Sequence, residues 1–136
     1  MTTGRSSNAE LIRRGYSAFN GGDLDAVLEL CAPEVVFMPL PDSPMGVTFH
    51  GHEGFREMIT ENAEMFDSYR NEPEEIIEVA EDKVVVLVRS EARGRMSGIE
   101  VGGRLAHLWT LRDGKAIRCE SFGSREAALS AASADP

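Results

Sequence analysis

The stretch LAHLWTLRDGKAIRCESF, residues 105–122, decides the fold of this chain. Asp113-Gly114 stands between two runs of residues that alternate in polarity, which is a strong signal for a β-hairpin with a two-residue turn. A regular turn of this kind pairs His107 with Glu120 across the two strands. One face of the hairpin then carries acid–base groups, and the other carries apolar and hydroxyl side chains. The face that lines the interior therefore decides the chemistry of the protein.

The rest of the chain predicts helices first and strands afterwards. Asn8 is placed as the N-cap of the first helix, Gly21-Gly22 ends that helix, and Asp23 caps the second. In order, we expect a helix over 8–19, a short helix after Asp23, a strand over 35–38, a helix over 53–66, strands over 72–79, 83–95, 100–111 and 116–123, and a short helix over 125–132. This order is typical of an α+β protein whose helices pack on one face of a curved antiparallel sheet.

Length and composition indicate a single domain of 136 residues. We expect residues 1–7 to be disordered, residues 8–132 to form the domain and residues 133–136 to form a tail. The net charge of −9 disfavours nucleic acids and anionic membranes as partners. The sequence has no apolar run of about 20 residues and no signal-peptide pattern, so we expect a cytoplasmic protein.

Cofactor and metal motifs are missing from the sequence. It has neither a Gly-rich phosphate loop nor a nucleotide fingerprint, so we expect no cofactor. His50 and His52 have the spacing of two metal ligands on an extended segment, but no third ligand lies nearby in sequence. Cys31 and Cys119 stand in apolar settings without a CxxC pair, and we expect them to be buried, reduced thiols.

Four segments resemble the nuclear transport factor 2-like (NTF2-like) superfamily, in particular its SnoaL-like branch. They are AFNGGDLDAV (18–27), FHGHEGF (49–55), HLWTLRDGK (107–115) and SREAAL (124–129). The resemblance implies a cystatin-like cone, in which a curved antiparallel sheet wraps around three N-terminal helices and a short C-terminal helix ends the chain. It also implies a cavity inside the cone and a homodimer through the outer face of the sheet. Members include steroid isomerases, polyketide cyclases, dehydratases, epoxide hydrolases and proteins that only bind, so the fold alone selects no function.

The mechanism of the limonene-epoxide hydrolases is not supported by the residues at the matching positions. Those enzymes orient a water with a Tyr and an Asn and use an Asp-Arg-Asp relay. A hydroxyl cannot replace a carboxylate as general base near neutral pH. The five positions fall here on Val35, Phe37, Val88, Ser90 and Ser121.

The mechanism of the steroid isomerases is weakened by the same comparison. The position of their Asp base falls on Pro39, and the position of their oxyanion-hole Tyr falls on Gly15. Tyr16 is one residue later and points about 100° away on an ideal helix. Asp42 could reach back towards a cavity mouth from its loop.

These alignments predict which residues face inward. The inner face is apolar with a few hydroxyls, which suits an apolar ligand held by weak hydrogen bonds. It comprises Val84, Val86, Val88, Ser90, Ala106, Leu108, Thr110, Ile117, Cys119 and Ser121. The outer face then carries Trp109 as the anchor of a dimer interface. It comprises Arg89, Glu91, Arg93, His107, Trp109, Arg118 and Glu120.

A competing interpretation turns the hairpin over. His107 then faces the cavity as a general base that Glu120 orients. This arrangement requires Leu108, Ile117 and Cys119 to face outward, which costs burial unless something covers them.

The function that we expect is binding of a small, largely apolar molecule in the cavity. The predicted ligand-binding residues are Tyr16, Phe19, Phe37, Phe55, Met58, Asn62, Val88, Ser90, Leu108, Thr110, Cys119 and Ser121. The alternative is an isomerase, cyclase or dehydratase that acts on a steroid-like or polyketide-like carbonyl compound by acid–base catalysis. Its candidate catalytic residues are Tyr16, Asp42, His107 and Glu120.

Overall fold

The computed structural model describes residues 4–40 and 47–134, and within these ranges six strands form one sheet. The helices are α1 (Gly4–Asn20), α2 (Leu24–Glu29), α3 (Gly51–Met65) and α4 (Arg125–Ala134). The strands are β1 (Cys31–Met38), β2 (Phe49–His50), β3 (Phe66–Ala80), β4 (Lys83–Gly94), β5 (Glu100–Arg112) and β6 (Lys115–Phe122). The strand order is β2-β1-β6-β5-β4-β3, with β1 and β6 parallel and every other pair antiparallel. The predicted α+β class is confirmed.

The start of α1 differs from the prediction, whereas its end agrees. The helix begins at Gly4, so Asn8 is not its N-cap, and the Asn8 side chain instead donates to the carbonyl oxygen of Glu81 at 2.7 Å. Gly22 follows the helix with φ +81°, a conformation that favours glycine. The Asp23 carboxylate then accepts from the backbone N–H of Ala26 at 3.2 Å, which confirms the predicted cap of α2.

The last residue of α1 fastens this helix to the sheet. The side-chain amide of Asn20 donates to the carbonyl oxygen of Asn71 at 2.8 Å and accepts from the N–H of the same residue at 2.9 Å. These two bonds give β3 the hydrogen-bond partner that a neighbouring strand would give. The start of β3 is thereby held against α1. Strand β3 begins six residues earlier than expected; its polar first half was not recognised as a strand because it lacks alternation.

The two faces of the sheet carry different helices. We call the face that α1, α2 and α3 cover the inner face; there Val84, Val86 and Val88 pack with Ile12 and Tyr16. Helix α4 covers part of the opposite, outer face. Its residues Ala128 and Ala132 pack there against Val85, Ala106 and Leu108. No helix within the described residues is long and apolar enough to cross a membrane.

The β5–β6 hairpin has the predicted turn but a different register. Asp113 and Gly114 both have positive φ, +53° and +78°, as a tight hairpin turn requires. A β-bulge then leaves Ile117 as an extra residue and shifts all later pairs by one. The resulting pairs are Thr110 with Arg118, Trp109 with Cys119, Leu108 with Glu120, and His107 with Ser121.

This shift corrects the pairing in both interpretations of the hairpin, whereas the competing interpretation placed His107 in the cavity wall correctly. Because His107 pairs with Ser121, the predicted pairing of His107 with Glu120 is wrong. Ala106 and Leu108 were expected on the inner face, yet they pack under α4 on the outer one. The inward placement of β4 and of Cys119 and Ser121 was correct.

Trp109 does not lie on the outer face of the sheet, where it was predicted to anchor a dimer interface. Trp109 packs into the inner-face core, so its assignment to a dimer interface is wrong. A homodimer through the outer face stays a prediction, and α4 together with charged side chains such as Arg89 and Arg118 would form its surface.

Candidate functional site

A cavity of about 240 Å³ lies between the inner face of the sheet and helices α1 to α3. Most of its wall is apolar or aromatic. The polar or weakly polar side chains that line it are Tyr16, Cys31, Asn62, Tyr69, Asn71, His107, Trp109, Cys119 and Ser121. No Asp, Glu, Lys or Arg is among the lining residues that the structure describes. Because an unpaired charge is costly to bury, this wall suits an uncharged ligand.

Most of the residues predicted to contact a ligand line this cavity. They are Tyr16, Phe19, Phe37, Phe55, Met58, Asn62, Cys119 and Ser121. Leu108 and Thr110 do not, because the register of β5 turns them to the outer face. Val88 faces inward but is fully buried in the core, and Ser90 lies farther along β4, outside the cavity wall.

The fold brings two of the candidate catalytic residues together and places a third on the other face of the sheet. Glu120 lies on the outer face, where its carboxylate is 3.4 Å from the Arg118 guanidinium, so it cannot orient His107. Asp42 lies outside the described residues. Tyr16 of α1 and His107 of β5 are brought together in the cavity wall.

Tyr16 is the centre of a hydrogen-bonded chain of three side chains. Its Oη is 2.6 Å from Nδ1 of His107, and Nε1 of Trp109 donates to the same oxygen at 2.9 Å. The Tyr16 and His107 rings are stacked with an interplanar angle of 12°, and Trp109 meets both rings edge-on. The three side chains are therefore held by ring packing as well as by their two hydrogen bonds.

The direction of the hydrogen bond between Trp109 and Tyr16 follows from the indole, and the direction of the bond between Tyr16 and His107 is assigned from it. An indole N–H can only donate, so the Tyr16 oxygen is the acceptor for Trp109. The hydroxyl proton of Tyr16 then goes to Nδ1 of His107. We assign this direction because a phenol hydroxyl donates more strongly than an imidazole N–H, and an imidazole nitrogen accepts more strongly than a phenol oxygen that already accepts from an indole. A neutral His107 therefore carries its proton on Nε2, an assignment that rests on the hydrogen-bond network.

Burial keeps both titratable members of the chain neutral. It lowers the pKa of His107 from 6.5 to about 4. Burial also raises the pKa of Tyr16 well above its usual value, and the nearby Cys119 thiol adds to this effect. No protein group within residues 4–40 and 47–134 hydrogen-bonds Nε2 of His107. Near neutral pH this nitrogen is thus a hydrogen-bond donor available to a ligand, comparable to the neutral histidines that polarise carbonyl groups in enzymes.

Asn62 is a second polar side chain for which the described part of the structure supplies no hydrogen-bond partner. Its side chain is only 8% exposed and lines the cavity from α3. Its Oδ1 is fully buried and has no hydrogen-bond partner among the described residues. Leaving such a group unpaired costs about 1 to 3 kcal/mol.

The two cysteines are poor nucleophiles. Both are buried and free, as the sequence predicted. Burial raises the pKa of Cys31 to about 11, and burial together with the Cys31 and Glu120 groups raises the pKa of Cys119 well above its usual value. Since the thiolate is the reactive form, these side chains act as small apolar parts of the wall.

His52 has a structural contact. Its Nε2 lies 3.1 Å from the carbonyl oxygen of Cys31, which ties the start of α3 to β1. Within the described ranges, no group of three or more His, Cys, Asp or Glu side chains could hold a metal ion.

Comparison with known proteins agrees with this architecture. The SnoaL-like domain matches residues 12–119. The chain belongs to the SnoaL-like family. Among solved structures, it is similar to TerC co-crystallised with polyporic acid, at 31% identity over 89% of this chain and 94% of that one, with a TM-score of 0.77.

Two further structures support the same fold. An NTF2-like protein of unknown function from Burkholderia pseudomallei is 28% identical over 91% of this chain and 95% of that one, with a TM-score of 0.78. A putative SnoaL-like polyketide cyclase from Jannaschia sp. is 23% identical over 100% of this chain and 98% of that one, with a TM-score of 0.76. No functionally curated protein matches the sequence.

Sequence reasoning missed part of the site of this SnoaL-like protein. Trp109 was placed outside because the hairpin was given a regular register. Tyr69 and Asn71 were missed because the segment before residue 72 was not expected to be a strand. Alternation along β5 places Trp109 on the same face as His107, so the competing interpretation, which turned His107 inward, also turns Trp109 inward.

The buried neutral imidazole predicts a pH dependence of folding. The pKa of His107 is about 4 in the folded protein and 6.5 in its ordinary state, so between these values the unfolded chain binds more protons. Stability should fall as pH drops from about 6.5 to about 4, by about 3 kcal/mol for this residue. Urea unfolding of wild type and His107→Gln across this range should show a steeper loss in wild type.

The matched control is His50→Gln, which removes an exposed imidazole and should retain the wild-type profile. Parallel profiles for wild type and His107→Gln would mean that His107 is not a buried neutral group.

Proposed function

We propose that this SnoaL-like protein binds a compact, uncharged and largely apolar molecule through an oxygen atom that accepts a hydrogen bond from His107 Nε2. One observation carries the proposal. The chain from Trp109 through Tyr16 to His107 ends in a donor that no described protein group uses, and this donor lies in an apolar cavity. Such a donor needs an acceptor, and in an apolar cavity the ligand supplies it.

The dimensions of the cavity support a small ligand. Its volume of about 240 Å³ lies just below the range of roughly 300 to 1,000 Å³ that is typical of small-molecule sites. This space suits a skeleton of one or two rings. The co-crystallisation of the similar protein TerC with polyporic acid supports small-molecule binding by a fold of this kind.

The ligand pair 1-tetralone and tetralin tests the proposal. The two molecules share a two-ring skeleton, and only the ketone has an acceptor oxygen. The chain contains one tryptophan, so the indole N–H of Trp109 gives a single NMR signal from the cavity wall. We expect 1-tetralone to shift this signal saturably and to bind about 10-fold more tightly than tetralin, as one net hydrogen bond provides.

His107→Phe should abolish this preference because it keeps an aromatic ring and removes the donor. Thr110→Val is the matched control, since it changes the outer face of the same strand. Equal binding of both molecules by wild type would contradict the proposal.

An acid–base enzyme is the second candidate. The 2.6 Å contact between Tyr16 and His107 favours it, because a proton can pass along this bond as Nε2 exchanges one with a ligand. The reaction would be proton transfer next to a carbonyl group, as in an isomerase, cyclase or dehydratase. Two observations favour binding instead: the pKa of His107 near 4 makes the imidazole a weak base, and the described cavity wall has no carboxylate.

Hydrogen–deuterium exchange at C2 of 1-tetralone separates the two candidates. A binding protein should leave the rate of exchange in D2O within about twofold of the buffer rate, because no described group removes the carbon-bound proton. An acceleration of about 10-fold or more that His107→Phe abolishes would establish the enzyme instead. Asp42→Asn then tests the remaining predicted base, which lies outside the described residues.

A further inference from the structure

The side chain of Asn62 has no role in the structure of helix α3. Its backbone carbonyl accepts from the N–H of Phe66, so the end of α3 does not use the side chain. Phe55 and Met58 line the same wall of the cavity, where an apolar residue would pack without cost. Yet this position holds an asparagine that is only 8% exposed, with an Oδ1 that has no hydrogen-bond partner among the described residues.

The cavity is the side from which a ligand can reach the Asn62 side chain. Asn62 lines the cavity, and rotation about its last side-chain bond presents either the amide donor or the carbonyl acceptor. A hydroxyl group can pair with either of these, and a ketone can pair with the donor. His107 belongs to the sheet wall and Asn62 to the helix wall. The two groups therefore address different sides of one bound molecule.

We infer that the ligand carries two oxygen functions on different sides of its ring skeleton, one bound by His107 Nε2 and the other by the side-chain amide of Asn62. The ligand class is thus a hydroxyketone, diketone or related dioxygenated compound of one or two rings. This inference rests on the proposed function and adds the second polar contact to it.

Hydroxylated tetralones test the inference. The 5-, 6- and 7-hydroxy derivatives of 1-tetralone keep the carbonyl for His107 and place a second oxygen at different points around the ring. We expect at least one of them to bind about 10-fold more tightly than 1-tetralone, measured by the Trp109 indole signal or by calorimetry. In Asn62→Leu this gain should vanish, so that the hydroxylated derivative binds the variant no more tightly than 1-tetralone binds the same variant.

Controls separate a ligand contact from a structural role. Asn62→Leu removes an unpaired polar group from the apo protein, so it should raise the melting temperature. Met58→Leu changes the same wall without touching the amide and should keep the gain. Asn62→Ala is a second variant that should lose it.

Three results would overturn the inference: no gain for any hydroxylated derivative, a gain that persists in both Asn62 variants, or a lower melting temperature for Asn62→Leu. If neither 1-tetralone nor its derivatives bind to wild type, the proposed function fails as well. The two failures are therefore distinguishable.

Discussion

The hydrogen bond from Trp109 Nε1 to Tyr16 Oη is the interaction on which the chemistry of this cavity depends. Because an indole nitrogen cannot accept, this bond uses the Tyr16 oxygen as an acceptor and favours donation of the Tyr16 proton to Nδ1 of His107. That proton decides the tautomer of His107, and the tautomer makes the cavity a donor for ligand oxygen. The bond also joins α1 to β5, so the same contact that orients the site holds a helix on the sheet.

The bulge at Ile117 is the backbone feature that makes this arrangement possible. It brings Cys119 and Ser121 to the same face as His107 and Trp109, while Leu108 and Glu120 turn outward. Without it, the inner face would combine His107 with the charged Glu120. The described part of the cavity wall carries no charged side chain because the strand register removes that carboxylate from it, and α4 covers the apolar residues that the register leaves outside.

Much of the fold could be predicted from the sequence, because its signals are local. The Asp113-Gly114 turn, the Asp23 cap and the glycine at the end of α1 each depend on a few adjacent residues. The bulge leaves no such signal, since Ile117 looks like any other strand residue. The two-residue β2 is too short to have a period, and α4 has an apolar stripe that does not say which face of the sheet it covers.

The candidate site was predictable where it lies on helices and unpredictable where it depends on the sheet. Tyr16, Phe19, Phe55, Met58 and Asn62 follow from the apolar stripes of α1 and α3. The partners on β5 depend on a register that only tertiary packing decides. The sequence therefore identified Tyr16 and His107 as candidates, but it assigned His107 the wrong partner and placed Trp109 outside the site.

The tautomer of His107 tests the account most directly. Nitrogen-15 NMR of histidine-labelled protein at pH 7 distinguishes a protonated from an unprotonated ring nitrogen. We expect His107 to be neutral, with Nδ1 unprotonated and the proton on Nε2, and we expect Trp109→Phe to weaken this preference. A proton on Nδ1, or a charged imidazolium at pH 7, would contradict the account.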